Sequence, residues 1–148
     1  MEKGKFVSNP ALYPLLVLFC VLFSQIWVGL LILGFVIVME KNEKISAATL
    51  HSALWFFVWP MYRLIIGQVS RFYDWSTRGL IELFTTNTSY PEGFAKLINN
   101  THKFFGGFNS ILFAVFVAFI ILCGILPLAQ GKGSKLPFKK TAERFFGQ

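Results

Sequence analysis

Residues 11–39, ALYPLLVLFCVLFSQIWVGLLILGFVIVM, run for 29 positions without a charge, and how this stretch is placed decides the fold. As a single helix rising ~1.5 Å per residue it would be about 43 Å long. That exceeds the ~30 Å hydrocarbon core of a bilayer, so such a helix has to tilt or let its ends reach the headgroups. A second run, 110–129 (SILFAVFVAFIILCGILPLA), covers 20 uncharged residues, or about 30 Å of helix. Both runs are longer than the roughly 10–14 residues of an ordinary buried helix. Each reads as a transmembrane helix.

The whole composition agrees. The 148 residues provide one domain's worth of chain, with 55% apolar residues, only 14% charged, and 18 phenylalanines, against roughly a quarter charged in a soluble protein. A soluble core of this size has no room for that many phenylalanines. A cleaved signal peptide is the rival reading of the first run, but its apolar region would be about 7–15 residues ending at small side chains. Here the run is about twice as long and leaves through MEKNEK (39–44). Asn9 followed by Pro10 has the form of a helix cap with proline at the first helical position.

Lysine and arginine set the orientation. Lys132, Lys135, Lys139, Lys140 and Arg144 follow the last run, and Lys3 and Lys5 precede the first. Two spans put these clusters on one side, which the positive-inside rule makes cytoplasmic. The expected membrane is the bacterial inner membrane, with a eukaryotic endomembrane as the alternative.

Between the runs lies LHSALWFFVWPMYRLIIGQVSRFYDWSTRGL, residues 50–80. On a helical wheel Arg63, Gly67, Ser70, Arg71, Asp74, Arg78 and Glu82 share one sector. Ile65, Val69, Phe72, Tyr73, Leu80 and Leu83 lie opposite. That is an amphipathic helix from about Met61 to Phe84, with Leu64 and Ile81 as exceptions to the pattern, suited to a membrane interface. Arg71, Asp74, Arg78 and Glu82 form an ionic ladder at helical spacing, each pair contributing ~0.2–0.5 kcal/mol. Trp55, Trp59, Tyr62, Phe72, Tyr73 and Trp75 are candidate interface residues, because rings with one polar edge collect at headgroup level. A full span over 50–67 is the alternative, with Arg63 snorkelling from one end.

The expected architecture is therefore all-α and membrane-embedded, with two spans and a Pro60-kinked interfacial or re-entrant helix between them. Residues 1–10 form a short cytoplasmic segment, 11–39 the first span, and 40–49 a connector. Residues 50–84 are the kinked aromatic helix, and 85–107 a polar loop with a short helix broken at Gly106–Gly107. The last span is 108–129 and the basic tail 130–148. Sequons stand at Asn87-Thr88-Ser89 and Asn99-Asn100-Thr101.

Little points to chemistry. Cys20 and Cys123 lie inside the runs as packing residues. His51 and His102 have no partner at ligand spacing, so neither a metal site nor a cofactor is expected. No nucleophile elbow, glycine-rich phosphate loop or carboxylate pair occurs, so an enzyme is not expected. The net charge of +7 is spread over membrane flanks, which speaks against nucleic acid, and no small-molecule substrate is evident. Gln25, Gly29 and Gly34 are candidates for a helix–helix contact. Lys135, Lys139, Lys140, Arg144, Phe145 and Phe146 form a candidate membrane-surface or docking tail. The expected partners are the bilayer and other membrane proteins, or a second copy of the chain. The function that fits is an accessory or assembly subunit of a membrane complex. The alternatives are an immunity or exclusion-type protein of the inner membrane, and an oligomeric pore-forming or membrane-shaping protein.

Overall fold

A computed structural model describes residues 9–85 and 92–147, and among these every regular element is a helix. Residues 1–8 and the sequon at Asn87 lie outside the described residues. The first apolar run is not one helix. It forms α1 (Leu12–Leu22) and α2 (Ile26–Met39), separated at Phe23–Gln25. Ser24 takes a left-handed conformation, φ +56°. Its N–H donates to the Val21 carbonyl at 3.2 Å, while the Gln25 N–H reaches back to the Cys20 carbonyl at 2.9 Å. This pair of bonds is the Schellman ending, which satisfies the last carbonyls of a helix locally. The chain then returns. The Tyr13 hydroxyl, at the start of α1, donates to Glu40 Oε1, just past the end of α2, at 3.1 Å. Tyr13, Val36 and Ile45 pack around that contact. Run 11–39 is therefore a hairpin with both ends together, and the expected single span is corrected. The expected cap is corrected: Ala11 precedes the first residue of α1 without a side-chain cap, and Asn9 Oδ1 instead accepts the Ala11 N–H at 3.0 Å in the turn before the helix.

The expected 40–49 connector is mostly helix. Asn42 caps α3 (Glu43–Ala53) by accepting the Lys44 N–H at 3.1 Å, and Glu43 complements the first turn. Seven of the eleven α3 residues are buried, most of them small. Small side chains let α3 approach α1 and α2 closely. The Thr49 and Ser52 hydroxyls turn inward and bond the carbonyls of Ile45 and Ala48, so burial leaves neither group unsatisfied.

The break in the aromatic segment falls earlier than expected. A 3-10 turn at Leu54–Phe56 separates α3 from α4 (Val58–Thr85). Pro60 is the third residue of α4, in the first turn, where its missing N–H costs no intrahelical bond. It starts the helix instead of kinking it.

From Glu92 onward the expected loop at 85–107 is likewise helical. The fifth helix, α5 (Glu92–Ile120), runs through Gly106 and Gly107, a lapse of roughly 1 kcal/mol per glycine that neighbouring turns absorb. It continues through a π-turn at Ile121–Ile125 into α6 (Leu126–Ala129). Pro127 has no N–H for the carbonyl of Cys123 four residues back. That carbonyl is taken from outside, by the Lys135 N–H at 2.9 Å. The tail thus folds back against the helix. Leu136 is buried, and its side chain lies against Gly124, where an added Cβ would come within 2.8 Å of both Leu136 and Leu18. The tail ends in α7 (Lys139–Phe145), which packs on α3.

The chain divides into two compact units. Unit 1, residues 1–59 and 116–148, has a core of Val17, Leu18, Phe56, Trp55, Ile120 and Leu136. Unit 2, residues 60–115, consists of most of α4 and α5, with Tyr73 and Phe105 in ring contact at 6.0 Å. Its large apolar side chains, such as Ile65, Phe72, Trp75, Phe104 and Ile111, are exposed.

Candidate functional site

Unit 1 contains a cavity of about 600 Å³ at the end where α1 and α3 begin and α6 finishes. Pro10 and Ala11 line it from the turn before α1 and Pro14 from α1 itself, Ile45, Ala47 and Ala48 from α3, and Leu128 from α6. These make an apolar floor. Lys44, Lys132 and Lys139 line it as well, together with Glu143, Ser134, Asn42 and His51.

Each cation is held there by a local rule of folding. Lys44 follows the Asn42 cap, so its position is tied to the start of α3. Lys132 follows Gly131, whose φ of +72° ends α6 with a second pair of Schellman bonds: Gly131 N–H to the Leu128 carbonyl at 3.0 Å, and Lys132 N–H to the Pro127 carbonyl at 2.8 Å. Lys139 opens α7 and lies one turn before Glu143, at 3.8 Å. Three ammonium groups against one carboxylate leave the lining with a formal charge of 3 − 1 = +2. Because the Lys139–Glu143 pair is largely solvent-exposed, it contributes little to stability.

His51 is the structural clasp of this region. It is buried, and its Nε2 lies 3.0 Å from the Leu136 carbonyl and 2.6 Å from the Pro137 carbonyl. Both partners are acceptors, so Nε2 carries the proton and donates. Sequence reasoning gave His51 no role, because its partners lie 85 and 86 residues further along the chain. Lys44 and Lys132 were missed for the same reason: nothing local shows that they share a cavity.

The residues singled out by sequence fall into different places. Trp55 is internal to unit 1, packed at 5.5–6.3 Å against Phe116, Phe119 and Phe138, and Trp59 stacks on Phe116 at 5.5 Å. Tyr62 and Tyr73 are half-buried on α4, whereas Phe72 and Trp75 are exposed and touch each other at 6.1 Å. Of the ionic ladder, Asp74 is half-buried and Arg71, Arg78 and Glu82 are exposed on the same helix. Gln25 is exposed at the hairpin turn. Gly29 is buried, and Phe56 occupies the space its side chain would need, whereas Gly34 faces open space. In the tail, Lys135, Lys140, Arg144 and Phe145 are exposed, and Phe146 is half-buried. Both cysteines are free thiols. Among the described residues no three His, Cys, Asp or Glu side chains come together as a metal site.

Comparison with protein-family models, with curated proteins and with solved structures gave no match.

Proposed function

We propose that this chain is a small, non-enzymatic integral membrane protein that serves as an accessory or assembly subunit of a larger membrane complex. The observation that carries the reading is the apolar surface left uncovered. On α2 only Gly29 and Val36 are buried, while Trp27, Leu31 and Val38 are 81%, 74% and 78% exposed. Monomeric proteins in water rarely expose contiguous apolar patches larger than a few hundred Å². A helix apolar on every face is at home in hydrocarbon.

The helix lengths assign parts to that membrane. The stretch Lys96–Ala129 is long and apolar enough to cross a bilayer. At ~1.5 Å per residue, α1 and α2 reach only about 16 and 21 Å, short of the ~30 Å core, so their hairpin dips into one leaflet and returns. Both termini then lie on the side of the lysine-rich end of unit 1, cytoplasmic by the positive-inside rule. With α5–α6 as one crossing, the return to that side requires a second, for which we propose α4; the alternative third span over 50–67 is not one helix, because the 3-10 turn at Leu54–Phe56 divides it. Cysteines placed at positions 44, 93 and 140 in sealed membranes test this. Positions 44 and 140 are expected to label from inside and 93 from outside, and any other partition overturns the topology.

The subunit role is supported by Phe72 and Trp75, 68% and 73% exposed on α4, since aromatic side chains are enriched where proteins meet. A photo-crosslinker at either position, in native membranes, is expected to capture a defined protein. Lipid adducts alone would reject the subunit role. The one-leaflet hairpin favours a second reading, a membrane-shaping protein, because a wedge in one leaflet bends a bilayer. Tubulation of liposomes by the purified chain checks it.

A further inference from the structure

The structure assigns the cavity of unit 1 to the headgroup of an anionic phospholipid, a site that rests on the membrane reading above. Three features of the lining converge on that ligand. Lys44, Lys132 and Lys139 come from three separate segments and line one opening, which is how point-charge donors gather around a phosphate. Ile45 and Leu128 line the same cavity, so the glycerol backbone and first methylenes find apolar contact beneath the phosphate. A volume of about 600 Å³ exceeds the need of a bare inorganic anion and lies within the ~300–1,000 Å³ range of pockets for larger organic ligands. The position fits as well. The cavity lies at the end of the α1–α2 hairpin where Tyr13 meets Glu40, away from the turn at Phe23–Gln25. In a hairpin dipping into one leaflet that end is at headgroup depth. Glu143 is the counterweight: its carboxylate lies 3.8 Å from Lys139 and competes with the phosphate for it.

The test is a calorimetric titration of the purified full chain in a non-ionic detergent. The probes are dihexanoyl phosphatidylglycerol, dihexanoyl phosphatidylcholine and inorganic phosphate. Phosphatidylglycerol is expected to bind more tightly than either of the others. Lys44→Gln and Lys132→Gln, both at exposed positions, are each expected to weaken it by roughly fivefold. Glu143→Gln is expected to tighten it. The assignment fails if phosphatidylcholine binds equally well, if inorganic phosphate binds as tightly as the lipid, or if the lysine variants keep both their helix content and the wild-type affinity. Flotation on phosphatidylcholine vesicles reads the membrane assignment separately. A chain that floats but shows no preference for phosphatidylglycerol loses the site alone. A chain that stays in solution loses the membrane reading, and the titration still decides the site.

Discussion

Run 11–39 turns back at Phe23–Gln25, whereas run 110–129 contains Gly124 and Pro127, two residues that commonly end helices, and remains helical throughout. Hydropathy does not separate them, since both are uncharged. What differs is where the backbone polar groups find partners. In the first run the last carbonyls of α1 are met locally, by the N–H groups of Ser24 and Gln25, and the helix can stop inside an apolar stretch. In the second, Pro127 releases the Cys123 carbonyl, but the Lys135 N–H meets it from the returning tail, and the helix has no reason to stop. A buried backbone group needs a partner, and the position of that partner decides whether a helix ends.

The largest test of this contrast is to remove the local solution. In the double variant Ser24→Leu, Gln25→Leu the first run becomes uniformly apolar and its turn loses both polar residues. It is expected to straighten into one helix. Cysteines at positions 9 and 44, which the proposed hairpin places on the same side in the parent, are then expected to label from opposite sides. Next comes the external solution in the second run. Leu136→Ala empties a buried position against Gly124 and Leu18 and is expected to lower the thermal stability of the chain in detergent by about 2–5 kcal/mol. Smaller is His51→Phe, which leaves the Leu136 and Pro137 carbonyls without their donor. A loss of about 1–3 kcal/mol is expected in the same assay, accompanied by faster proteolysis after Lys132 or Lys135 as the tail loosens. Smallest is Ser24→Gly. Glycine accepts the positive φ without strain but adds freedom to the unfolded chain, so the hairpin is expected to gain no more than about 1 kcal/mol.

The contrast also explains which parts of the fold were legible in the sequence. The helical class followed from long apolar runs and from the stripe on 61–84, signals carried by many residues at once. The Asn9–Pro10 pair marked the right place but not the cap, since the helix begins two residues after Pro10. The hairpin turn was not. Gln25 read as a contact between helices, because a single non-glycine residue at positive φ, Ser24, leaves no mark on hydropathy. The burial of α3 was hidden because EKISAATLHSA has small and polar side chains, whose burial depends on α1 and α2 arriving beside them. The 85–107 segment misled through its turn residues, since Gly106 and Gly107 end a helix only where nothing carries it through. The cavity was least legible of all. Its three lysines are separated by up to 95 positions (139 − 44), and only the hairpin, the end of α6 and the returning tail bring them together.

The clasp between His51 and the tail also imposes an order of events on synthesis. The hairpin and α3 leave the ribosome before the tail, and Leu136, a partner of His51, follows 85 residues later. At ~5–20 residues per second that is an interval of about 4–17 s. During it the face of α3 that receives the tail is uncovered, and the cavity has only part of its wall. The hairpin and α3 are thus made early and finished late. A nascent chain stalled before Leu136 is expected to hold its hairpin without its clasp.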